Sequence, residues 1–328
     1  MPRDDSSRMR SFVLILLILC QLCEGFTLSS QQRRSLHLGA TDSSDNVDTP
    51  ALGLLTFDLD DTLFSCQMVV DDGDKALMQA LRDLGAVRAH KHSIYQAMRA
   101  ERRKRAAPIT YSNLRMRAIR KVLTTELGIG AVDTEMVINC FETWLTERQE
   151  AANRYLFPGT VEMLQAIKTR HPDVCIGAVT NGRGNPLEMS NIREFFDFCV
   201  SGEDENVFPD RKPHPGIYLA ALEEYQNRTG CEISDDNVWV HVGDDLAKDI
   251  GASARQGALP IWVQINERLS DKPPSYSTAT KQEAGRYAKL AQYARSNIDV
   301  KVETLHDMPI AVERKLLEAA RSHQFGVR

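Results

Sequence analysis

The chain has 328 residues, 42% of them apolar and 26% charged, with a formal net charge of −5. That length can bury a sizeable core in one large domain or in a core with a smaller companion, and the mild acidity gives no general attraction to nucleic acid or to acidic membranes. Seven cysteines, odd in number and scattered over the sequence, read as reduced thiols rather than a disulfide framework.

The first segment reads as a leader. Arg3, Arg8 and Arg10 precede the run SFVLILLILCQL, whose apolar core of roughly ten residues falls short of the ~20 needed to span a bilayer and suits a signal-peptide core. Cleavage is expected before Phe26. The following stretch carries hydroxyls, Arg33 and Arg34, and no acid before Asp42, which is transit-peptide composition. Residues 1–25 are therefore expected to be a signal peptide and 26–50 a transit-like segment and linker. The pair resembles the two-part presequences of algae with secondary plastids, and plastid delivery is expected, with plain secretion and a membrane anchor as the rivals. Cys20 and Cys23 match CxxC, but their place in a leader argues against a zinc or redox role. The folded protein is expected to start at Ala51, with no membrane attachment once processed.

From there, short apolar runs at 52–58, 174–180, 237–244 and 259–265, with a weaker fifth at 196–202, read as buried parallel strands. Helical patterns lie between them, including 185–196 and 246–257. Such alternation predicts an α/β parallel sheet flanked by helices. Between Phe64 and Phe157 the alternation stops, and apolar residues recur at three- and four-residue steps, as in Val137, Phe141 and Trp144. The expected organisation is a core of 51–65 and 157–328, with a helical insertion over 66–156. The polar stretch 266–296, with paired prolines, reads as an extended loop with room for a short helix.

The chemistry gathers at the strand ends, where open parallel sheets bind ligands. The first strand runs into Asp58, Asp60 and Asp61, the second into Thr180 and Asn181, and the fourth into Asp244 and Asp245. Lys212 precedes the helix that leads to the fourth strand. These groups converge on one mouth if the sheet places the first strand between the second and the fourth. An oxygen-only acidic set, without His or Cys, suits Mg²⁺ bound together with a phosphate. One carboxylate can then attack phosphorus while another shuttles a proton. A turn capped by Asp side chains is the plainer reading of the three aspartates alone, and for Asp61 a cap or turn role is as well supported as a catalytic one.

Together DxDxT at 58–62, Thr180 at the second strand end, Lys212 in RKPHP and GDDxxxD at 243–249 resemble the haloacid dehalogenase superfamily of phosphatases, across the whole folded part. The resemblance implies a Rossmann-like core with an inserted helical cap. It implies Asp58 as nucleophile and Asp60 as general acid/base, the latter also holding metal through its backbone carbonyl. It further implies Thr180, Lys212 and the Asn181 amide on the phosphate, and Mg²⁺ on Asp58 and Asp244 with Asp245 or Asp249 in support. The runs LTFDLDDTL, ITYSNLRMRAIRKVL, AVTNGRGNP and HVGDDLAKDIGASARQGALPIWV are similar to phosphatases of FMN and of 5-amino-6-(5-phospho-D-ribitylamino)uracil, which implies a small phosphorylated metabolite of flavin synthesis as substrate. Tyr111, Arg115 and Arg117 in the cap are the candidate substrate contacts. Phosphatases of sugar phosphates or phosphoglycolate, a phosphomutase, and an inactive binding protein of the same fold are the alternatives. The basic run RAERRKR at 99–105 reads as a solvated helix end rather than a nucleic-acid patch. Oligomeric state is not legible.

Overall fold

The structure, a computed structural model, describes residues 49–265 and 281–324. The segments read above as a leader and most of the transit-like linker lie outside the described residues, as does 266–280. Six strands form one parallel sheet: β1 (Ala51–Phe57), β2 (Cys175–Thr180), β3 (Phe198–Ser201), β4 (Asn237–Gly243), β5 (Leu259–Val263) and β6 (Lys301–Val302), in the order β3-β2-β1-β4-β5-β6. The first strand does lie between the second and the fourth. Both faces are covered, which is why the strands read as near-continuous apolar runs rather than alternating ones; β2 is buried at every position.

One face packs Leu55, Ile176 and Val240 under Leu164 and Ile167 of α5 (Thr160–Arg170) and Val312 and Leu316 of α8 (Met308–Gln324). The other packs Leu54, Val179 and Trp239 under Ile217 and Tyr218 of α6 (Pro215–Thr229), with Leu290 of α7 (Lys281–Asn297). Between β1 and β2 stand four helices: α1 (Cys66–Asp83), α2 (Lys91–Arg103), α3 (Tyr111–Leu127) and α4 (Thr134–Arg154). They enclose an apolar cluster of their own, including Leu77, Leu81, Ile94, Ile119, Phe141 and Trp144. Three of them start on side-chain caps: His90 accepts from the Ser93 amide, Thr110 from that of Asn113 and Asp133 from that of Met136. The chain enters and leaves this cap through paired backbone. The Phe157 amide donates to Leu63 at 2.8 Å, and Phe64 bridges Leu156.

The first cap helix begins at Cys66, where the expected insertion starts, and the Asp61 side chain accepts the Cys66 amide there at 2.9 Å. Several other elements depart from the sequence reading. The stretch 185–196 forms only two 3₁₀ turns. The stretch 246–257 opens with a π-helical turn, Leu246–Gly251, and continues helically only to Ala254. The stretch 266–296, expected as a loop with room for a short helix, is helical from Lys281, with Leu290 and Ala294, four residues apart, buried beside the 246–251 turn. Beyond it, β6 and α8 complete the sheet edge and one face.

Candidate active site

β1 delivers Asp58 to the carboxyl edge of the sheet, where its amide donates to Val242 of β4 at 2.8 Å. The chain then curls. Asp61 takes a left-handed φ of 61°, which Asp tolerates better than most residues, and the Asp61 amide donates back to Phe64 at 2.8 Å. That turn brings Asp60 around to the side of the sheet edge facing Arg148, while Asp61 faces the start of α1. Asp61 is therefore the cap-and-turn residue of the three.

Lys212 is the electrostatic centre. Its ammonium, buried and 3% exposed, donates to Asp58 Oδ1 at 2.5 Å and to Asp249 Oδ1 at 2.7 Å. An ammonium carries three hydrogens, so one remains for a further acceptor. Asn181 fastens this lysine from below, its side-chain amide donating to the Lys212 carbonyl at 2.9 Å. Thr180 is buried, and its hydroxyl accepts from the Gly182 amide at 3.1 Å, which leaves the hydroxyl hydrogen to donate. Thr62 donates to the other oxygen of Asp58 at 3.4 Å.

The acids outnumber their partners. Burial pushes the Asp58 carboxyl up, against the pull of Lys212. For Asp249, Lys212 and His241 overcome burial and hold it well below the carboxylate range. Asp244 has no such help: burial and then Asp249, Asp58, Asp245 and Asp61 all push its carboxyl well above the usual value. Single oxygens of Asp58, Asp244 and Asp249 lie within 4.8 Å of one another. Three carboxylates at that spacing, with one lysine shared by two of them, fit a divalent cation bound through oxygen. Asp245, expected in metal support, instead caps the π-helical turn through the Ala247 and Lys248 amides, both at 2.9 Å, and pairs with Lys248 at 2.6 Å. Asp249 takes the place closer to the cluster. It can do so because residue 243 is glycine; a Cβ there would stand 2.3 Å from the Cβ of Asp249.

Beneath the cluster runs a buried polar line. Trp239 Nε1 donates to Thr56 Oγ1 at 2.7 Å, and Thr56 Oγ1 lies 2.7 Å from His241 Nδ1. The tryptophan nitrogen can only donate, so Thr56 Oγ1 accepts from it and keeps its own hydrogen available for His241 Nδ1. Nε2 faces Asp249 Oδ1 at 3.6 Å. Burial holds this histidine neutral. His241 thus lies beside Asp249, with Nε2 buried and beyond hydrogen-bond distance.

The cap is docked on this edge. Arg148 of α4 donates from Nη2 to both oxygens of Asp60, at 2.9 and 3.2 Å. Gln149 exchanges two hydrogen bonds with the Asn185 backbone, at 2.6 and 3.3 Å. At the far side, the buried Glu203 accepts from the Ser112 amide and hydroxyl at the start of α3, and the Arg211 guanidinium covers the Tyr111 ring at 4.8 Å. Of the three cap candidates, only Tyr111 reaches this seam. Arg115 points into the cap interior, paired with Asp74 at 2.9 Å and 3.9 Å above the Trp144 ring; that packing accounts for it without a substrate. Arg117 is exposed on α3. Arg148 and Glu203 escaped the sequence reading. Arg148 had left a signal, a charge on the apolar stripe Val137, Phe141, Trp144, Arg148, Ala151.

A sequence profile described as haloacid dehalogenase-like hydrolase matches residues 52–257, and the chain belongs to that family. Within it the chain is a phosphatase, and at its sheet edge an acid two residues after the strand-end aspartate, a buried lysine and a strand-end hydroxyl stand together. Among curated proteins it is 25% identical over 214 residues to a 5-amino-6-(5-phospho-D-ribitylamino)uracil phosphatase of Escherichia coli, covering 65% of this chain and 84% of that one. Among solved structures it is similar to a 2-haloacid dehalogenase from Pseudomonas syringae, with a TM-score of 0.59 and 20% identity over 80% of this chain and 99% of the other. The latter likeness is one of fold.

Proposed function

We propose that the protein is a magnesium-dependent phosphomonoesterase that works through an aspartyl-phosphate on Asp58. The observation that carries this is the strand-end arrangement itself: a buried carboxylate held by Lys212 at 2.5 Å, with a second acid two residues on. Asp58, Asp244 and the Asp60 backbone carbonyl would hold Mg²⁺, with Asp249 beside them; the ion would supply the positive charge that keeps several carboxylates ionised around a phosphate. In the first half-reaction a carboxylate oxygen of Asp58 attacks phosphorus and the bond to the leaving oxygen breaks. Asp60 gives that oxygen its proton. In the second, water attacks the aspartyl-phosphate, Asp60 takes the water proton, and phosphate leaves with Asp58 restored. The spare hydrogen of Lys212, the Thr180 hydroxyl and the Asn181 amide bind the phosphate oxygens in both steps.

For the substrate we propose 5-amino-6-(5-phospho-D-ribitylamino)uracil or FMN. The activity of the Escherichia coli relative supports this, and Tyr111 and Ser112 of the cap run 109–123 stand at the seam with the core. A panel of FMN, the ribitylamino-uracil phosphate, sugar phosphates and phosphoglycolate, assayed with Mg²⁺, tests it. Higher kcat/KM on the two flavin-related esters is expected, and equal or better turnover of sugar phosphates would overturn the substrate while leaving the phosphatase. Transfer of phosphate to a second sugar hydroxyl instead of water would indicate the mutase. We further propose that residues 1–50 deliver the protein to a plastid in two steps. A fusion of that segment to a fluorescent protein tests this, with export to the medium as the contrary outcome.

A further inference from the structure

Arg148 is hard to explain as a stabilising residue. Its guanidinium is buried, with the side chain 5% exposed, and pairs with Asp60. Nη1 is buried and has no hydrogen-bond partner among the described residues. The slot around it is partly apolar. Leu59 and Phe64 are fully buried beside it, and Gly182 and Gly184 line the other side. A Cβ at 182 would stand 3.3 Å from Asp60 Oδ2 and 3.7 Å from Arg148 Nη2, and one at 184 would stand 3.4 Å from Arg148 Nη1. The loop after β2 therefore keeps two side-chain-free positions where the guanidinium and the carboxylate meet. Burying a charge in such a place is expensive, and a buried ion pair commonly stabilises no better than apolar residues of the same shape. A methionine would fill this slot at less expense. What Arg148 adds is geometry: one nitrogen bridges both oxygens of the carboxylate that must face the leaving group.

We infer that Arg148 is a positioning residue borne by the cap, which aims the Asp60 carboxylate at the leaving-group oxygen. The inference rests on the phosphatase reading above. Asp60 sits on the core and Arg148 on α4, two turns before the chain leaves the cap. The acid/base is aligned while the cap is docked, and the cap thereby acts on the chemical step as well as on substrate choice.

The test uses the purified protein with Mg²⁺ and a series of phosphate monoesters of graded leaving-group pKa, from p-nitrophenyl phosphate to alkyl phosphates. General acid help matters most where the leaving oxygen is most basic, and is worth about 10²–10⁴-fold there. For Arg148→Met, kcat/KM is expected to fall by about tenfold or less on p-nitrophenyl phosphate and by about 100-fold or more on alkyl phosphates. Asp60→Asn should show the same slope, and the double variant should be no worse than Asp60→Asn alone. Thermal unfolding should show Arg148→Met folded; Arg148→Lys, which keeps the charge with a shorter reach, should fall between it and the wild type on alkyl esters. An equal loss across the series, or additive losses in the double variant, overturns the inference and leaves the phosphatase standing. A wild-type protein inactive on every ester would refute the phosphatase reading and this inference with it.

Discussion

Asp60 and Asp61 leave β1 side by side, yet Asp60 meets Arg148 while Asp61 turns away to cap α1. The divergence comes from one residue with positive φ, which a two-residue alternation along an extended strand would never show. It assigns separate tests to the two acids. Asp58→Asn should lower turnover of any phosphate ester by at least about 10³-fold with the fold retained, because no other group can take the nucleophile's place. Gly243→Ala should act on catalysis from outside the site. A methyl at 243 collides with the Cβ of Asp249, so Asp249 must move and Lys212 loses one of its two anchors. Lower kcat and a lower unfolding midpoint are expected together; unchanged kcat would show that Lys212 does not depend on Asp249. His241→Gln, which can keep a donor towards Asp249, should retain more activity than His241→Phe, measured by kcat on one ester. Asp58, Thr180 and Asp244 were legible because each sits at a strand end in a short ordered motif, and Lys212 because its motif leads directly into α6. Arg148, Glu203 and the Thr56–His241 contact were not, because their partners lie 88, 91 and 185 residues distant in sequence.

Among elements, β1 to β5 were read closely because burial on both faces writes itself as continuous apolar residues, while β6, two residues long, carries no such run and was missed. The helices were harder wherever polar residues start them. The first turns of α1 carry Asp71, Asp72 and Asp74, and their partners are remote: Tyr155 for Asp72, Lys91 for Asp71, Arg115 and Trp144 for Asp74. Asp72 fastens the entry of the cap to its exit, accepting from Lys75 at 2.6 Å, Tyr155 at 2.8 Å and Arg154 at 3.1 Å. The hydrogen bond from Lys75 leads in lowering its carboxyl from 3.8 to about 2. A carboxyl lowered on folding contributes stability above its unfolded pKa and loses it as pH falls through the folded value. The Asp72 contribution should therefore be complete above about pH 5 and disappear between about pH 4 and pH 2. Urea unfolding of Asp72→Asn against wild type should show a deficit on the order of 1 kcal/mol at pH 7, shrinking to nothing near pH 2. A deficit that persists at pH 2 would mean the loss comes from packing. Glu203→Gln, which weakens the hold on the start of α3, should raise KM more than it lowers kcat.

For the molecule as a whole, the sheet supplies the chemistry and the cap, with its own apolar cluster, closes over it. The sequence showed both parts, since the switch from strand alternation to helical periodicity marks the insertion. The seam between them was not legible, because it is built from single polar contacts such as Ser112 to Glu203 and Gln149 to Asn185. The excess of acids at the sheet edge makes a cation requirement testable on the intact protein. Chelation should abolish turnover and Mg²⁺ restore it, and Asp244→Asn should shift the Mg²⁺ activation midpoint to higher concentration. The most direct measurement is an acid quench of the enzyme during turnover of a ³²P-labelled ester, followed by peptide mapping. Label on the peptide carrying Asp58, labile to hydroxylamine and absent in Asp58→Asn, is the predicted result. Steady turnover with no labelled enzyme at any quench time, or label on another residue, would contradict the aspartyl-phosphate mechanism.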